Sequence, residues 1–376
     1  MIRKRKSSPE ESPKKVVSKS GTKSERDKNL FLEKRQPQER SKCKGFICWT
    51  SLFIALLLLV ILVIYITIPF LFRYSPTFRR HIIFMNYVNL QPFHNLSEPE
   101  VDYGLKCTRN FYVEEGDIKL GAWHIFPNER LSECIIPNRQ LAADDFNDNR
   151  PVFLYFHGNG GTRGGRHRLE LYKVFAYSTL NAHVITVDYR SYGDSSAVIP
   201  TADGLASDAH TVYDWLRSRV NTSRLNIWGH SLGTAVSVKF ISQLSKQLSP
   251  NSLILEAPFT TLAEAASKYP LSFVYRWWPW FEWFFIEPLE KSNETLFDSL
   301  SLISDIYSPL LILHADDDGL VPISLGRKLY DKALQSSKAS QKPKMVTFNK
   351  DLNYGHKHIH RDKDLPNIIS EFISVK

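Results

Sequence analysis

One serine stands between two glycines in IWGHSLGTAV, residues 227–236, at Gly229-His230-Ser231-Leu232-Gly233. The spacing is G-x-S-x-G, with an apolar strand-like run (LNIW) before it and a helix-like run (TAVSVKFISQL) after it. A nucleophile elbow requires that context: a sharp, strained turn lifts the serine from the end of a strand. Side chains at the two glycine positions would clash with the neighbouring strand and helix. The competing reading is an ordinary glycine-bearing turn.

A serine hydroxyl is a poor nucleophile until a base takes its proton. In chain order an acid should follow a later strand and a histidine the last one. LLILHADDDGLVP offers Asp316, Asp317 and Asp318. Asp318 is preferred, at the tip of the turn, four residues after His314 and four before Pro322; Asp317 is the reserve. MVTFNKDLNYGHKHIH offers His356, His358 and His360, of which His356, after Gly355, is the expected base. His230 and His314 read as shaping the site, and His358 and His360 as surface residues.

The glycines of FHGNGGTRGG, residues 156–165, let backbone approach a ligand. The amides of Asn159 and Leu232 are the expected oxyanion donors. The loop lacks P-loop spacing. Arg163, Arg166, His167 and Arg168 follow it. They read either as a solvated helix start or, for Arg163, as a contact to an anionic head group. RWWPWFEWFF, residues 276–285, holds four tryptophans. Trp277, Trp278 and Trp280 either pack an insertion or meet an acyl chain or a membrane interface. No metal-ligand spacing appears, and this chemistry needs no cofactor.

The elements that must position these groups follow a rhythm. Apolar runs VFLYF, HVITVDY, LNIW, SLILEA, LLILHA and MVTF alternate with helix-like segments such as DGLASDAHTVYDWLRSRV, whose Leu205, Ala209, Val212, Trp215 and Leu216 share one face. Strands apolar throughout are buried on both faces, so the expected fold is α/β, doubly wound and mostly parallel. NFYVEEGDIKLGAWHIF reads as a hairpin ahead of it, and Arg139–Arg150 as a surface loop. About 50 residues between SLILEAPF and LLILHA are long for one crossover, and predict a cap over about 260–305. The tryptophans lie inside it.

Of 48 Lys+Arg and 39 Asp+Glu, residues 1–44 hold 15 and 6, leaving 33 of each sign. The basicity is a tail, read as disordered and cytoplasmic; the balanced remainder excludes a nucleic-acid-binding body. Residues 45–72 carry no formal charge and predict one transmembrane helix, with a connector over 73–107 and the catalytic domain over 108–376. Seven Lys/Arg in 25–44 against three in 73–92 place the N-terminus in the cytoplasm and the domain in a lumen. Sequons at Asn95, Asn221 and Asn293 agree. That compartment allows a disulfide between Cys107 and Cys134; Cys43 and Cys48 lie at the membrane edge.

HGNGGTRGGRHRLELYK, VITVDYRSYGDS, IWGHSLGTAV, LILEAPFT, LLILHADDDGLVP, LGRKLY and YGHKHI occur in this order after a single span. The chain thereby resembles the monoacylglycerol and lysophosphatidylserine lipases called α/β-hydrolase domain-containing protein 12, over most of residues 60–376. The resemblance implies an α/β-hydrolase fold and a serine hydrolase of the endoplasmic reticulum membrane facing the lumen. Its substrates would be lysophosphatidylserine and, less selectively, monoacylglycerols. By motif position Ser231 is then nucleophile, Asp318 acid and His356 base. The tail and the 130–150 loop fall outside the resemblance. A thioesterase would keep the triad, but palmitoylated cysteines face the cytoplasm. A non-catalytic binding protein would usually have lost a triad residue.

Overall fold

The computed structural model describes residues 23–88, 91, 93–135, 143–336 and 338–374, with side chains from Trp49 onward except in 133–144. The chain divides after Thr67 into two units. Up to that point there is one element, the first part of the helix Lys23–Tyr74. Within it Trp49–Tyr74 is long and apolar enough to cross a membrane. Residues 1–22 lie outside the described residues, but 23–44 are helical where composition predicts disorder. The stretch is rich in Lys, Arg and Glu, good helix formers, and a helix extending from an existing one needs no new nucleus.

The unit from Ile68 on is built on eight strands: β1 Thr108–Glu115, β2 Ile118–Ile125, β3 Val152–Phe156, β4 His183–Val187, β5 Leu225–His230, β6 Ser252–Glu256, β7 Leu310–Ala315 and β8 Lys344–Phe348. Their order is β1-β2-β4-β3-β5-β6-β7-β8. The β1–β2 hairpin pairs antiparallel with β4, and the other neighbours are parallel. Every residue of β3 to β7 is buried, as a sheet covered on both faces requires.

Alternate strand residues feed two cores. Leu154, Phe156, Ile227, Leu255 and Ile312 meet Leu205, Val212, Val236, Phe240 and Leu329 on one face. Phe153, Tyr155, Trp228, Ile254 and Leu313 meet Tyr172, Phe175, Leu365 and Phe372 on the other. The expected face of Ala202–Arg217 is buried at Leu205, Ala209, Val212 and Leu216; Trp215 is half-buried and stacks on Phe111 at 4.8 Å. The polar loop before β3 is not wholly on the surface. Asp145 is buried against Arg109 Nη1 at 2.7 Å, and Phe146 stacks on His124 at 4.7 Å. Residues 136–142 lie outside the described residues.

The 53 residues between β6 and β7 form short turns and helices, including Leu262–Lys268, Glu287–Lys291 and Ser299–Leu302. Cys107 is disulfide-bonded; the side chain of Cys134, its expected partner, is outside the described residues. Because β3 lies between β4 and β5, the winding reverses there, and the carboxyl ends of β3 and β5 open a crevice where ligands bind in open α/β sheets.

Candidate active site

Ser231 stands at that crevice, between β5 and the helix Leu232–Ile241, with φ 52° and ψ −115°. Few side chains accept a positive φ, so the turn is strained and must be held. Its amide donates to the Glu256 carbonyl at 2.9 Å, tying the turn to β6. A Cβ on Gly233 would stand 2.0 Å from the Phe156 carbonyl oxygen, and one on Gly229 2.5 Å from the Gly233 oxygen. Gly229 is therefore a steric requirement of the turn itself, and Gly233 of its close packing against β3.

The expected acid and base follow β7 and β8. Asp318 Oδ1 accepts the Leu320 and Val321 amides, each at 2.9 Å. Its Oδ2 lies 2.7 Å from His356 Nδ1 and 3.4 Å from His314 Nε2. Burial opposes the Asp318 charge, but the hydrogen bonds from His314 and His356 outweigh it and hold the carboxyl well below the usual carboxylate range. A charged Asp318 keeps the His356 proton on Nδ1 and leaves Nε2 free to accept another.

His356 is brought to the elbow through His230, the residue before Ser231. The His230 Nε2–H donates to the His356 carbonyl at 2.9 Å, and the two rings are 5.0 Å apart. The Ser231 hydroxyl has no hydrogen-bond partner among the described residues, as free active sites often show before a substrate tightens them. Asp317 serves differently, since both its oxygens take the Gly355 amide at 3.0 Å and so fix the residue before His356. Asp316 faces Arg327 at 3.4 Å.

The glycine loop after β3 runs beside the elbow; a Cβ on Gly158 would lie 3.1 Å from Ser231 Cβ. Leu232 is the first residue of its helix, where an amide has no partner within the helix. Asn159 holds its place by donating its side-chain amide to the Ile83 carbonyl at 3.1 Å. Sequence reasoning missed what shapes this loop. Arg168, read as solvated, is buried and bonds the carbonyls of Gly158 at 3.0 Å, Gly160 at 2.8 Å and Thr162. A signal existed, since a cation in the first turn of a helix opposes the helix dipole.

Residues 151–285 match the alpha/beta hydrolase fold family model. The lysophosphatidylserine lipase ABHD12 of Danio rerio is 41% identical over 320 residues, 84% of this chain and 82% of that protein. That of Rattus norvegicus is 42% identical over 84% of this chain and 79% of its own length. The chain belongs to this family. Human protein ABHD12B is 35% identical over 71% of this chain and 73% of its length. Among solved structures, the Pyrococcus furiosus esterase Pf2001 superposes with a TM-score of 0.53 at 15% identity, covering 76% of this chain and 96% of that one, a likeness of fold.

The family member in hand corrects one expected contact. Arg163 is fully buried and pairs with Asp188 at 2.6 Å, Asp194 at 2.6 Å and Asn110 at 2.8 Å, with Trp123 5.0 Å below its guanidinium. A buried Arg must be paired, and these partners leave it no reach to a head group. It ties the glycine loop to β1 and to the loop after β4. Trp277 and Trp280 are exposed and Trp278 is half-buried. Asn95, Asn221 and Asn293 are all exposed.

Glu256 escaped the sequence reading, and His167, read as part of a solvated helix start, is half-buried beside His230. Glu256 ends β6, fully desolvated, with Trp228 Nε1 donating to it at 2.9 Å. Burial pushes its carboxyl up to about 8 despite that bond. His167 lies 5.5 Å from the His230 ring. Burial, then Arg168 and His230, drive His167 well below its ordinary value, and burial and His356 do the same to His230. Both imidazoles are neutral near pH 7.

Proposed function

We propose that this chain is a membrane-anchored serine hydrolase that cleaves the acyl ester of lysophospholipids, lysophosphatidylserine foremost, and of monoacylglycerols. The observation that carries the reading is the short His356–Asp318 contact delivered to a glycine-flanked serine at the carboxyl edge of the sheet. Family membership supports the substrate class.

In the proposed mechanism the Ser231 hydroxyl attacks the ester carbonyl while His356 Nε2 takes its proton. Asp318 stabilises the imidazolium. The amides of Leu232 and Asn159 receive the charge that develops on the carbonyl oxygen, each worth about 3 kcal/mol in the transition state. The imidazolium then protonates the departing alkoxide of the glycerol. Water, deprotonated by His356, cleaves the acyl-enzyme and releases the fatty acid. The segment between β6 and β7 acts as a cap, and the charge asymmetry across Trp49–Tyr74 supports a lumenal, glycosylated domain in the endoplasmic reticulum membrane.

Labelling by a fluorophosphonate tests the nucleophile: wild type reacts and Ser231→Ala does not, and equal labelling refutes the assignment. A panel of membrane-borne lysophosphatidylserine, other lysophospholipids, monoacylglycerol and an acyl thioester tests the substrate, and preference for the thioester overturns the class. Glycosidase treatment should increase the mobility of the expressed chain.

A further inference from the structure

The apolar run Trp49–Tyr74 does not end in a free tether. Its last residues are packed against the insertion between β6 and β7. Phe70 meets Phe284 edge-on at 5.0 Å, Phe72 meets Phe285 at 5.2 Å, and Tyr74 meets Trp283 at 6.2 Å. The Arg73 guanidinium lies 3.7 Å over the Trp283 ring, pairs with Glu287 at 2.9 Å and also bonds the Trp283 carbonyl. Phe72 is buried with Ala263 and Leu289. The buried Arg79 donates back to the Phe72 carbonyl at 2.9 Å and the Arg73 carbonyl at 3.1 Å, closing the helix end.

Beside this joint the insertion shows water a run of large apolar side chains. Leu271 is 75% exposed, Phe273 72%, Trp277 72%, Trp280 63% and Trp283 40%, with Val274 exposed among them. Arg276 and Glu282 are the charged residues of 270–285 and cancel. The indole N–H groups of Trp280 and Trp283 have no protein acceptor among the described residues. Such a surface is a binding surface rather than scatter.

We propose that this face lies in the head-group layer of the bilayer that Trp49–Tyr74 crosses, so that the cap is a second membrane contact. The inference rests on reading that helix as a membrane span, and deepens the proposed function by naming the occupant of the face. Continuity selects the bilayer over a protein partner. The head-group layer is about 5–8 Å thick on each side of the hydrocarbon, and Trp283 sits 6.2 Å from Tyr74, the end of the span. An apolar face with indole N–H groups turned to water is what this layer accommodates. The insertion leaves the sheet at the carboxyl end of β6, the edge that carries Ser231. Seating it in the interface therefore aims that edge at the lipid from which an acyl substrate emerges.

The test uses the full chain in phosphatidylcholine vesicles with bromine on the acyl carbons nearest the glycerol. Wild type is compared with the triple variant Trp277→Phe, Trp280→Phe, Trp283→Phe. Trp49, at the other end of the span, is common to both. The quenched emission should fall about two- to threefold, because three of the five tryptophans at or beside the interface are gone while Trp49 and the half-buried Trp278 remain. Equal quenched emission in the two proteins overturns the proposal and turns the face to a second copy or to solvent.

A kinetic arm uses Leu271→Ser with Phe273→Ser. Hydrolysis of a vesicle-embedded long-chain lysolipid should drop about tenfold while a water-soluble short-chain ester keeps its wild-type rate. Unchanged rates on both also overturn it; if both rates fall together, the quenching comparison decides alone. A wild type that hydrolyses neither ester refutes the hydrolase reading and leaves the quenching result intact.

Discussion

Glu256→Gln should remove a pH dependence from stability, and the size follows from where the carboxyl sits. Glu256 is fully buried, with its ordinary value of 4.5 pushed up to about 8 by desolvation. Between those values the folded chain holds a proton that the unfolded chain has released. Wild-type stability therefore falls as pH rises through the window, and levels off above about 8. The slope is about 1.4 kcal/mol per pH unit, which integrates to about 5 kcal/mol over the window, an upper bound because a protein relaxes around a new charge. Glutamine keeps an acceptor for Trp228 Nε1 and cannot ionise. Unfolding midpoints of the detergent-solubilised chains, measured from pH 5 to 9, give the difference between variant and wild type, in which every shared titration cancels. That difference should grow steadily in favour of the variant up to about pH 8 and then stay constant. A difference independent of pH would show that Glu256 is charged in the folded state and would refute the argument.

Three other substitutions separate roles within the site. Asp318→Asn should lower kcat on a soluble ester about 10⁴-fold by releasing the His356 tautomer, while Asp317→Asn, which loosens only the Gly355 amide, should cost about tenfold; equal losses would undo the assignment. Arg168→Met strips charged donors from three buried loop carbonyls and should cut kcat about 10²-fold with KM little changed, so a wild-type kcat would deny that Arg168 shapes the oxyanion loop. Gly233→Ala places a methyl 2.0 Å from the Phe156 oxygen; stability should drop by about 1–3 kcal/mol and fluorophosphonate labelling should be lost, whereas intact labelling would mean the turn relaxes freely.

Which parts of this arrangement were legible in the sequence depends on how local their causes are. The elbow is written in five consecutive residues: the clash that demands Gly229 arises within that turn, while the one that demands Gly233 is with Phe156 of β3, 77 residues away. The parallel strands were legible because burial on both faces makes each a mostly apolar run with few polar positions such as Thr186 and Asn226. Arg163 was not legible. Its partners Asn110, Asp188 and Asp194 come from β1 and the loop after β4, 25 to 53 residues away, and an Arg after a glycine loop reads equally well as a ligand contact. Phe146 was hidden by its polar neighbours, since one apolar residue in a polar loop carries no period. Glu256 left a trace that periodicity ignores, a carboxylate ending the apolar run SLILE at the edge where ligands bind.

Glu256 also explains how only one of the two buried carboxyl groups at the site, Asp318, carries charge. Asp318 and Glu256 sense each other, so ionising both would be costly. The number of donors decides between them. Asp318 receives the Leu320 and Val321 amides, His356 Nδ1 and the nearby His314. Glu256 receives one indole N–H and is more deeply desolvated. Charge therefore settles on Asp318 and the proton on Glu256. The neighbouring imidazoles of His167 and His230 are neutral for the same reason of burial. In the proposed mechanism the carboxylate that faces His356 is then the counter-charge when the imidazole takes the serine proton. In a desolvated site such a fixed charge requires little reorganisation as the reaction proceeds, and stabilises the transition state more than it would in water.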